Sequence, residues 1–248
     1  MADGELLAIV AVAFVTAVVS GVLGMAGGIA LLALMVVFLH PLVAIPLHGA
    51  IQLVSNGSRT WIQRREVHWG ILWRYGALLV PAGVVGLWIA RALPAEAIRL
   101  AIGGFVLVAT WAPGALLIGA HPERVRLGPR FLGLGAVVGL LNTTIGATGP
   151  LIAPFFLNLG LSRQALIGTK AACQSLGHFV KIALFGAAGF TFAEHAWLLA
   201  AASAAVVAGT WVGSRLLDGI SEEAFTWLYK GVLSAVAVHL VAATALGS

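Results

Sequence analysis

The sequence predicts an all-α integral membrane protein that consists of two inverted repeats of about five hydrophobic segments each. Sixty per cent of the 248 residues are hydrophobic, 9% are charged, and the mean hydropathy is +1.03. These values lie far outside those of soluble domains. Glycine-rich breaks interrupt the apolar runs, and the two halves of the chain share a pattern of polar residues at an offset of about 122 positions.

The first apolar run is too long for a single membrane helix. It extends from Leu6 to Leu39 without a charged residue, and its 34 residues would form a helix of roughly 51 Å. Because the hydrocarbon core of a bilayer is about 30 Å thick, the run must turn back or break. Two crossings and a re-entrant hairpin both satisfy this condition. The start, MADGE, has acidic residues where a signal peptide has basic ones, so we expect no cleaved leader.

Charged residues and Gly/Pro breaks divide the chain into ten apolar segments. They are Leu6–Val19, Ile29–Leu39, Val43–Arg59, Gly70–Ala90, Ile98–Ile118, Phe131–Leu141, Pro150–Leu159, Gln164–Phe185, Ala196–Arg215 and Ala224–Ala243. Basic residues concentrate in the loops at 64–74 and 124–130, which lie two segments apart and therefore on one side. The positive-inside rule assigns that side to the cytoplasm and both termini to the periplasm. The net charge of +5 thus requires no nucleic acid partner.

An internal repeat relates residues 1–120 to residues 121–248, which we take as the two halves of one structural domain. Gly24–Gly27 aligns with Gly146–Gly149, and the polar residues that follow align as well. Five segments per half is an odd number, so the second copy enters the bilayer with the opposite orientation. Inverted repeats of this kind occur in secondary transporters, whose substrate sites lie near the midplane between the halves.

Each half carries four polar residues on one helix face, at steps of four, four and three. These two polar stripes are His48, Gln52, Asn56 and Arg59, and Lys170, Gln174, His178 and Lys181. Taken alone, an amide in a membrane helix usually bonds a neighbouring helix, and a basic residue near a helix end usually extends toward the interface. Two stripes in the same register indicate a shared binding site instead. A charge at the bilayer centre costs on the order of 2.5–3.5 kcal/mol, so Lys170 requires a functional reason.

The apolar segments contain no acidic residue. The nine carboxylates lie in termini or connecting loops, at Asp3, Glu5, Glu66, Glu96, Glu123, Glu194, Asp218, Glu222 and Glu223. Since no internal acid neutralises Lys170 or Lys181, we expect the counter-ion to be an anionic substrate. Proton coupling would have to use His48 or His178, which are the stripe residues that titrate near neutral pH.

The glycine clusters at 21–28 and 142–150 interrupt the apolar runs at matching places, which indicates discontinuous helices. Helix starts at Gly28 and Pro150 would direct backbone N–H groups and positive dipole ends toward an anion. Each cluster alone is also compatible with a close helix crossing. The candidate residues of the two breaks are Gly24, Gly27, Gly28, Gly146, Gly149 and Pro150, with Thr144 and Thr148 as hydroxyl donors.

Motifs for enzymatic chemistry are missing from the sequence. It contains no P-loop pattern, no Ser/His/Asp arrangement, no carboxylate pair and no metal-ligand spacing. The single cysteine, Cys173, excludes an internal disulfide and a thiolate metal cluster. We therefore expect a protein that is not an enzyme and that has no cofactor and no metal site.

At these residues the sequence resembles the sulfite exporter TauE/SafE family of bacterial membrane proteins. The resemblance covers essentially the whole chain and is strongest in the second half. It rests there on Gly146, Gly149, Pro150, Pro154 and Gly168-Thr169, whereas the first half has Ala26 and Ala33 where a glycine and a proline are usual. The resemblance implies an inner-membrane transporter of small sulfur-containing anions, such as sulfite or organosulfonates.

We predict a transporter that moves a small oxyanion or organosulfonate by alternating exposure of a midplane site. Lys170 and His48 would neutralise the anion, Gln52, Gln174 and Thr169 would orient it, and Arg59 and Lys181, nearer opposite faces, would attract ions to the entrances. Three alternatives stay open: an anion channel on the same site, a membrane enzyme or maturation factor that handles sulfur through Cys173, and a structural subunit without a ligand. The sequence leaves open which anion is moved, in which direction, with which coupling ion, and whether the protein is a homodimer.

Overall fold

The computed structural model describes residues 3–23, 27–117, 121–156, 159–216 and 222–246, and every regular element within these ranges is helical. The α-helices are α1 (Asp3–Leu23), α2 (Gly27–Phe38), α3 (Pro41–Ile62), α4 (Trp69–Ala92), α5 (Ala95–Trp111), α6 (Leu127–Thr144), α7 (Gly149–Ile152), α8 (Arg163–Ala187), α9 (Ala196–Leu216) and α10 (Glu222–Leu246). Short 3-10 helices occupy Pro113–Leu117, Pro122–Arg124, Ala153–Phe156 and Phe192–His195. The ten predicted segments correspond to the ten α-helices in order, which confirms the all-helical fold class.

Helix α2 begins inside the protein. Its 12 residues would measure about 18 Å, which is less than the thickness of a hydrocarbon core. A Cβ added at Gly28 would lie 3.1 Å from Nε2 of Gln52, so the start of α2 lies level with the middle of α3. The end of α2 is joined directly to α3, where the Nδ1 atom of His40 accepts a hydrogen bond from the backbone N–H of Leu42. The long apolar run is thus broken within the protein, as its length required.

Helices α3 and α8 form the polar centre of the fold and pack antiparallel. The hydroxyl of Thr60, near the end of α3, lies 3.2 Å from the hydroxyl of Ser175, in the first half of α8. His48, near the start of α3, contacts Lys181 farther along α8. The two polar stripes therefore face each other, and their residue order runs in opposite directions.

The remaining long helices pack in pairs around this centre: α4 with α6, α1 with α9, and α5 with α10. Glycines make the first two crossings close. A Cβ at Gly135 would collide with the backbone carbonyl of Tyr75, and one at Gly139 would collide with that of Leu79. On the other side of the molecule, a Cβ at Gly213 would collide with the carbonyl of Val18. Small residues allow backbones to approach in this way in membrane proteins.

We expect Gly135→Ala to destabilise the protein, whereas Gly133→Ala, on the same helix, should not. The added methyl group at Gly135 collides with the backbone of α4, so α4 and α6 must separate; overpacking of this kind typically costs about 1–3 kcal/mol. A Cβ at Gly133 meets nothing within 4 Å, and alanine there gains up to about 1 kcal/mol of helix propensity. Thermal unfolding in detergent measures both changes. Equal unfolding temperatures for the two variants would contradict the close crossing.

The outward surface of the protein is apolar. Along α4, Trp73, Val80, Val84 and Trp88 lie at helical spacing and are strongly exposed, with Trp73 and Trp88 72% and 76% exposed. An apolar stripe of this size on a soluble protein would be an aggregation site, so these residues face lipid. Two helical stretches, Trp69–Ala92 and Phe192–Gly213, are long and apolar enough to cross a bilayer by themselves.

Candidate functional site

A narrow cavity lies between α3, α8 and the two helix breaks. Its volume is about 30 Å³, and since one water molecule needs roughly 10–15 Å³, it is only as large as about two or three waters. The polar stripes contribute His48, Gln52, Asn56, Arg59, Gln174 and His178 to its lining. The breaks contribute Gly28, Ala147, Thr148 and Gly149. The rest of the lining consists of Tyr75, Asn142, Ile29, Val138, Ile152 and Gly177. We call this space the central cavity.

Lys181 is completely buried, with 0% of its surface exposed. Its ammonium group donates hydrogen bonds to the carbonyl of Gly146 at 2.8 Å, to Oδ1 of Asn142 at 3.3 Å and to Nδ1 of His48 at 3.4 Å. It lies directly behind His48 and Asn142, which line the central cavity. The sequence predicts that Lys181 lies near a membrane face. In the structure α8 continues for six residues beyond Lys181, and the charge lies in the interior.

His48 connects Lys181 to the other helix break. Its Nε2 atom lies 2.8 Å from the carbonyl of Gly28. Because a carbonyl only accepts, Nε2 carries the proton, and Nδ1 of the neutral ring accepts from Lys181; this tautomer is assigned from the hydrogen-bond network. One chain of hydrogen bonds thus runs from Gly28 through His48 and Lys181 to Gly146. The contacts formed at the breaks use carbonyl oxygens, whereas the sequence led us to expect N–H donors.

Two residues that line the central cavity each have a polar atom without a hydrogen-bond partner among the described groups. The hydroxyl of Tyr75 and Nδ1 of His178 are both buried, and neither forms a hydrogen bond with a group that the structure describes. The ring of His178 packs edge-on against that of His48, with centroids 5.7 Å apart. A buried polar group without a partner costs about 1–3 kcal/mol. Both atoms are therefore positioned to bond a ligand in the cavity.

Lys170 lies outside the central cavity. It lines a second cavity of about 170 Å³ with Asn56, Arg59, Ile167, Ala171 and Gln174. The two cavities share Asn56, Arg59 and Gln174. Because α3 and α8 pack antiparallel, His48 lies next to Lys181. Lys170 shares a cavity with Arg59 and not with His48.

Several of the predicted break residues lie beside the cavity rather than in it. The hydroxyl of Thr144 donates to the carbonyls of Gly86 and Leu140, and the hydroxyl of Thr169, which we expected to orient the anion, accepts from the backbone N–H of His68. Neither residue lines the central cavity or the cavity at Lys170. Pro150 lies in the first turn of α7 and Gly27 begins α2. Gly24 lies outside the described residues. Gly146 has a φ of +84°, which only glycine adopts without strain, and this conformation ends α6 and turns its carbonyl toward Lys181.

No carboxylate is buried among the side chains that the structure describes. Glu123, in the 3-10 helix Pro122–Arg124, forms ion pairs with His121 and Arg124. The positive charges of Lys181, Arg59 and Lys170 are thus not neutralised by a described acidic side chain. This agrees with the sequence pattern from which we expected an anionic ligand.

Asn142 and Tyr75 were not among the predicted site residues. Asn142 donates from Nδ2 to the carbonyl of Gly177 and accepts from Lys181, so it joins α6 to α8. A buried amide beside a glycine-rich break was a usable signal. Tyr75 had no such signal in the sequence, because a tyrosine close to basic residues is typical of the membrane interface.

Cys173 is 0% exposed and packs in the apolar cluster formed by α4, α6 and α8. The described residues contain no group of three or more His, Cys, Asp or Glu that could hold a metal ion. A thiol in this position has no access to a substrate in either cavity, since it lines neither.

One comparison with known proteins identifies a family. A family model, described as sulfite exporter TauE/SafE, matches residues 9–240. Searches of curated proteins and of solved structures found no match. Members of the family are membrane transporters and not enzymes, which excludes the enzyme reading of Cys173. With a match over nearly its full length, this chain belongs to the sulfite exporter TauE/SafE family.

Proposed function

We propose that this protein is a carrier that binds a small sulfur-containing oxyanion, such as sulfite or an organosulfonate, in the central cavity. The observation that carries this proposal is the buried charge of Lys181, which has three hydrogen-bond acceptors around it but no described carboxylate. The hydroxyl of Tyr75 and Nδ1 of His178 supply free polar atoms in the same cavity. An oxyanion would complete the charge balance and bond both atoms.

The electrostatic gain is large enough to matter. An anion in the cavity would lie on the far side of His48 from the Lys181 ammonium, and two unit charges about 6 Å apart attract by about 3 kcal/mol at an effective dielectric constant of 20. That energy corresponds to about a hundredfold in affinity. Asn142 and Thr148 would then orient the oxyanion, and the role that we expected for Lys170 at the centre passes to Lys181.

Alternating access is supported by the way in which the helices pair. Suppose that α1–α5 correspond in order to α6–α10. The packed pair α4–α6 then corresponds to the packed pair α9–α1, and the pairs α3–α8 and α5–α10 each correspond to themselves. A twofold relation between two inverted repeats predicts this pattern. The same relation exchanges the contact of His48 and Lys181 with that of Lys170 and Arg59. We infer that the side of Lys181 is closed in this conformation and that the side of Lys170 is the more open one.

The volumes of the two cavities favour a carrier over a channel. A channel needs a continuous open path, whereas the central cavity here has the volume of only about two or three waters and adjoins the wider cavity at Lys170. The basic loops at 64–74 and 121–130 follow α3 and precede α6. We propose that these loops face the cytoplasm and both termini face the periplasm of a bacterial inner membrane.

The test is transport by the purified protein in liposomes. We expect saturable uptake of sulfite or of an organosulfonate such as sulfoacetate, and acceleration of labelled uptake by unlabelled anion inside the vesicles. A carrier shows this counterflow and a channel does not. Empty liposomes are the control. The absence of uptake for sulfite, sulfate, thiosulfate, sulfoacetate and taurine would refute the proposed substrate class.

A further inference from the structure

The wider cavity beside Lys170 has the features of a binding site in its own right. It has a volume of about 170 Å³, and three of its lining residues, Ile167, Lys170 and Ala171, do not line the central cavity. Two of its six lining residues, Arg59 and Lys170, are basic, and none is acidic. The cavity is therefore strongly positive.

The two basic side chains that line it have no protein counter-ion. Arg59 and Lys170 are half-buried, and neither side chain forms a hydrogen bond or an ion pair within the described part of the chain. By contrast, the exposed Arg64 and Arg74 each donate to a backbone carbonyl of their own segment. Two like charges that line one small cavity repel each other. A bound anion would remove that repulsion.

Two amides lie where the two cavities adjoin. Asn56 and Gln174 line both cavities, from facing helices, as does Arg59. The Nδ2 atom of Asn56 donates to the backbone carbonyl of Gln52 at 3.1 Å and approaches its Oε1 at 3.4 Å, so its orientation is held by α3. An anion that moves from the wider cavity to the central one would meet these shared residues.

We propose that Arg59 and Lys170 form an outer site that binds a dianionic oxyanion before it passes Asn56 and Gln174 into the central cavity. This inference rests on the proposed function and extends it to two successive sites. A guanidinium group bonds two oxygens of one oxyanion, and an ammonium group adds a point charge. Two cations favour sulfite or sulfate over a monoanion, and they repel a zwitterion such as taurine, which carries its own ammonium group.

The number of bound anions tests the outer site. Isothermal titration of the purified full chain with sulfite, under anaerobic conditions and at low ionic strength, should give two anions per protein. The double variant Arg59→Gln/Lys170→Gln should bind one. Arg64→Gln, which removes an exposed arginine from the loop after α3, should still bind two. Sulfate should give the same stoichiometry as sulfite, and taurine should not occupy the outer site.

Transport kinetics supply a second readout. In liposomes Lys170→Gln, which leaves every residue that lines the central cavity in place, should have an apparent KM for sulfite raised about tenfold or more, with little change in the maximal rate, because capture is impaired and the central site is intact. The charge-retaining variant Lys170→Arg should keep the wild-type KM. If the double variant is not recovered as monodisperse protein, Lys170→Gln alone should also reduce the stoichiometry to one.

The outcomes separate this inference from the proposed function. One bound sulfite in both the wild type and the double variant, with equal KM values for the wild type and Lys170→Gln, would overturn the outer site and leave the central site standing. No binding and no transport of any of the tested anions by the wild type would overturn both. A loss of maximal rate in Lys170→Gln without a change in KM would also overturn the outer site, since Lys170 would then act in the transport step.

Discussion

Lys181→Met should transport sulfite at least about a hundredfold more slowly than the wild type while it remains folded. The substitution keeps most of the side-chain volume but removes the buried ammonium group, whose attraction for an anion about 6 Å away is worth about 3 kcal/mol. Initial rates of uptake into liposomes measure the effect. Because the charge acts on bound anion, sulfite should also lose its ability to raise the unfolding temperature of the variant.

The stability of Lys181→Met should change far less than its activity. The variant no longer carries the desolvation cost of a buried charge, but Gly146, Asn142 and His48 lose their donor. These effects oppose each other, and the net change should stay within about 3 kcal/mol. Lys230→Met is the matched control, because Lys230 lies on α10 against Trp111 and Trp227 and lines neither cavity. Normal transport by Lys181→Met would remove the basis of the proposed binding site.

Gly49→Ala should reduce transport by about ten- to a hundredfold, although it removes no polar group. A Cβ at Gly49 would lie 2.5 Å from Cε of Lys181, so the lysine side chain has to move away from α3. A shift of the ammonium group breaks its bonds to Gly146 and His48, and overpacking of this kind typically costs about 1–3 kcal/mol. Uptake rates and thermal unfolding of the same preparation report the two consequences separately.

Gly57→Ala is the control for Gly49→Ala, since it adds the same methyl group to the same helix where nothing lies within 4 Å. It should be neutral or slightly stabilising. The double variant Gly49→Ala/Lys181→Met tests the mechanism further. If the methyl group acts through Lys181, the two effects on transport will be strongly non-additive, as is usual for residues in contact. Additive losses would show that Gly49 contributes in another way.

The helical membrane fold was accessible from the sequence because hydropathy and the 3.6-residue period are local properties. The predicted segment Gln164–Phe185 agrees with α8 to within two residues at each end. The prediction was less accurate at the seventh segment, where Pro150–Leu159 becomes the four-residue α7 followed by the 3-10 helix Ala153–Phe156. Pro154 lies inside that segment and lacks the N–H that a continuing α-helix needs.

The polar residues of the candidate site were also recognisable, but their partners were not. The repeat aligns His48 with Lys170 and Arg59 with Lys181, which suggested that His48 and Lys170 act together. In the structure α3 and α8 run in opposite directions, so the residue next to His48 is the one that aligns with Arg59. Spacing within one helix says which residues share a face, but the neighbour across the interface depends on the direction of both helices and on their relative depth.

The sequence by itself determined that this chain is a membrane protein with broken helices, two polar stripes and no acid in its apolar segments, because composition and periodicity act over short distances. Only the tertiary structure decided that the charge of Lys181 is buried behind the central cavity, that Lys170 lines a second cavity, and that Asn142 and Tyr75 line the central one. These assignments arise from contacts between residues far apart in the chain. Close glycine crossings and antiparallel packing set those contacts, and neither can be read from a single segment.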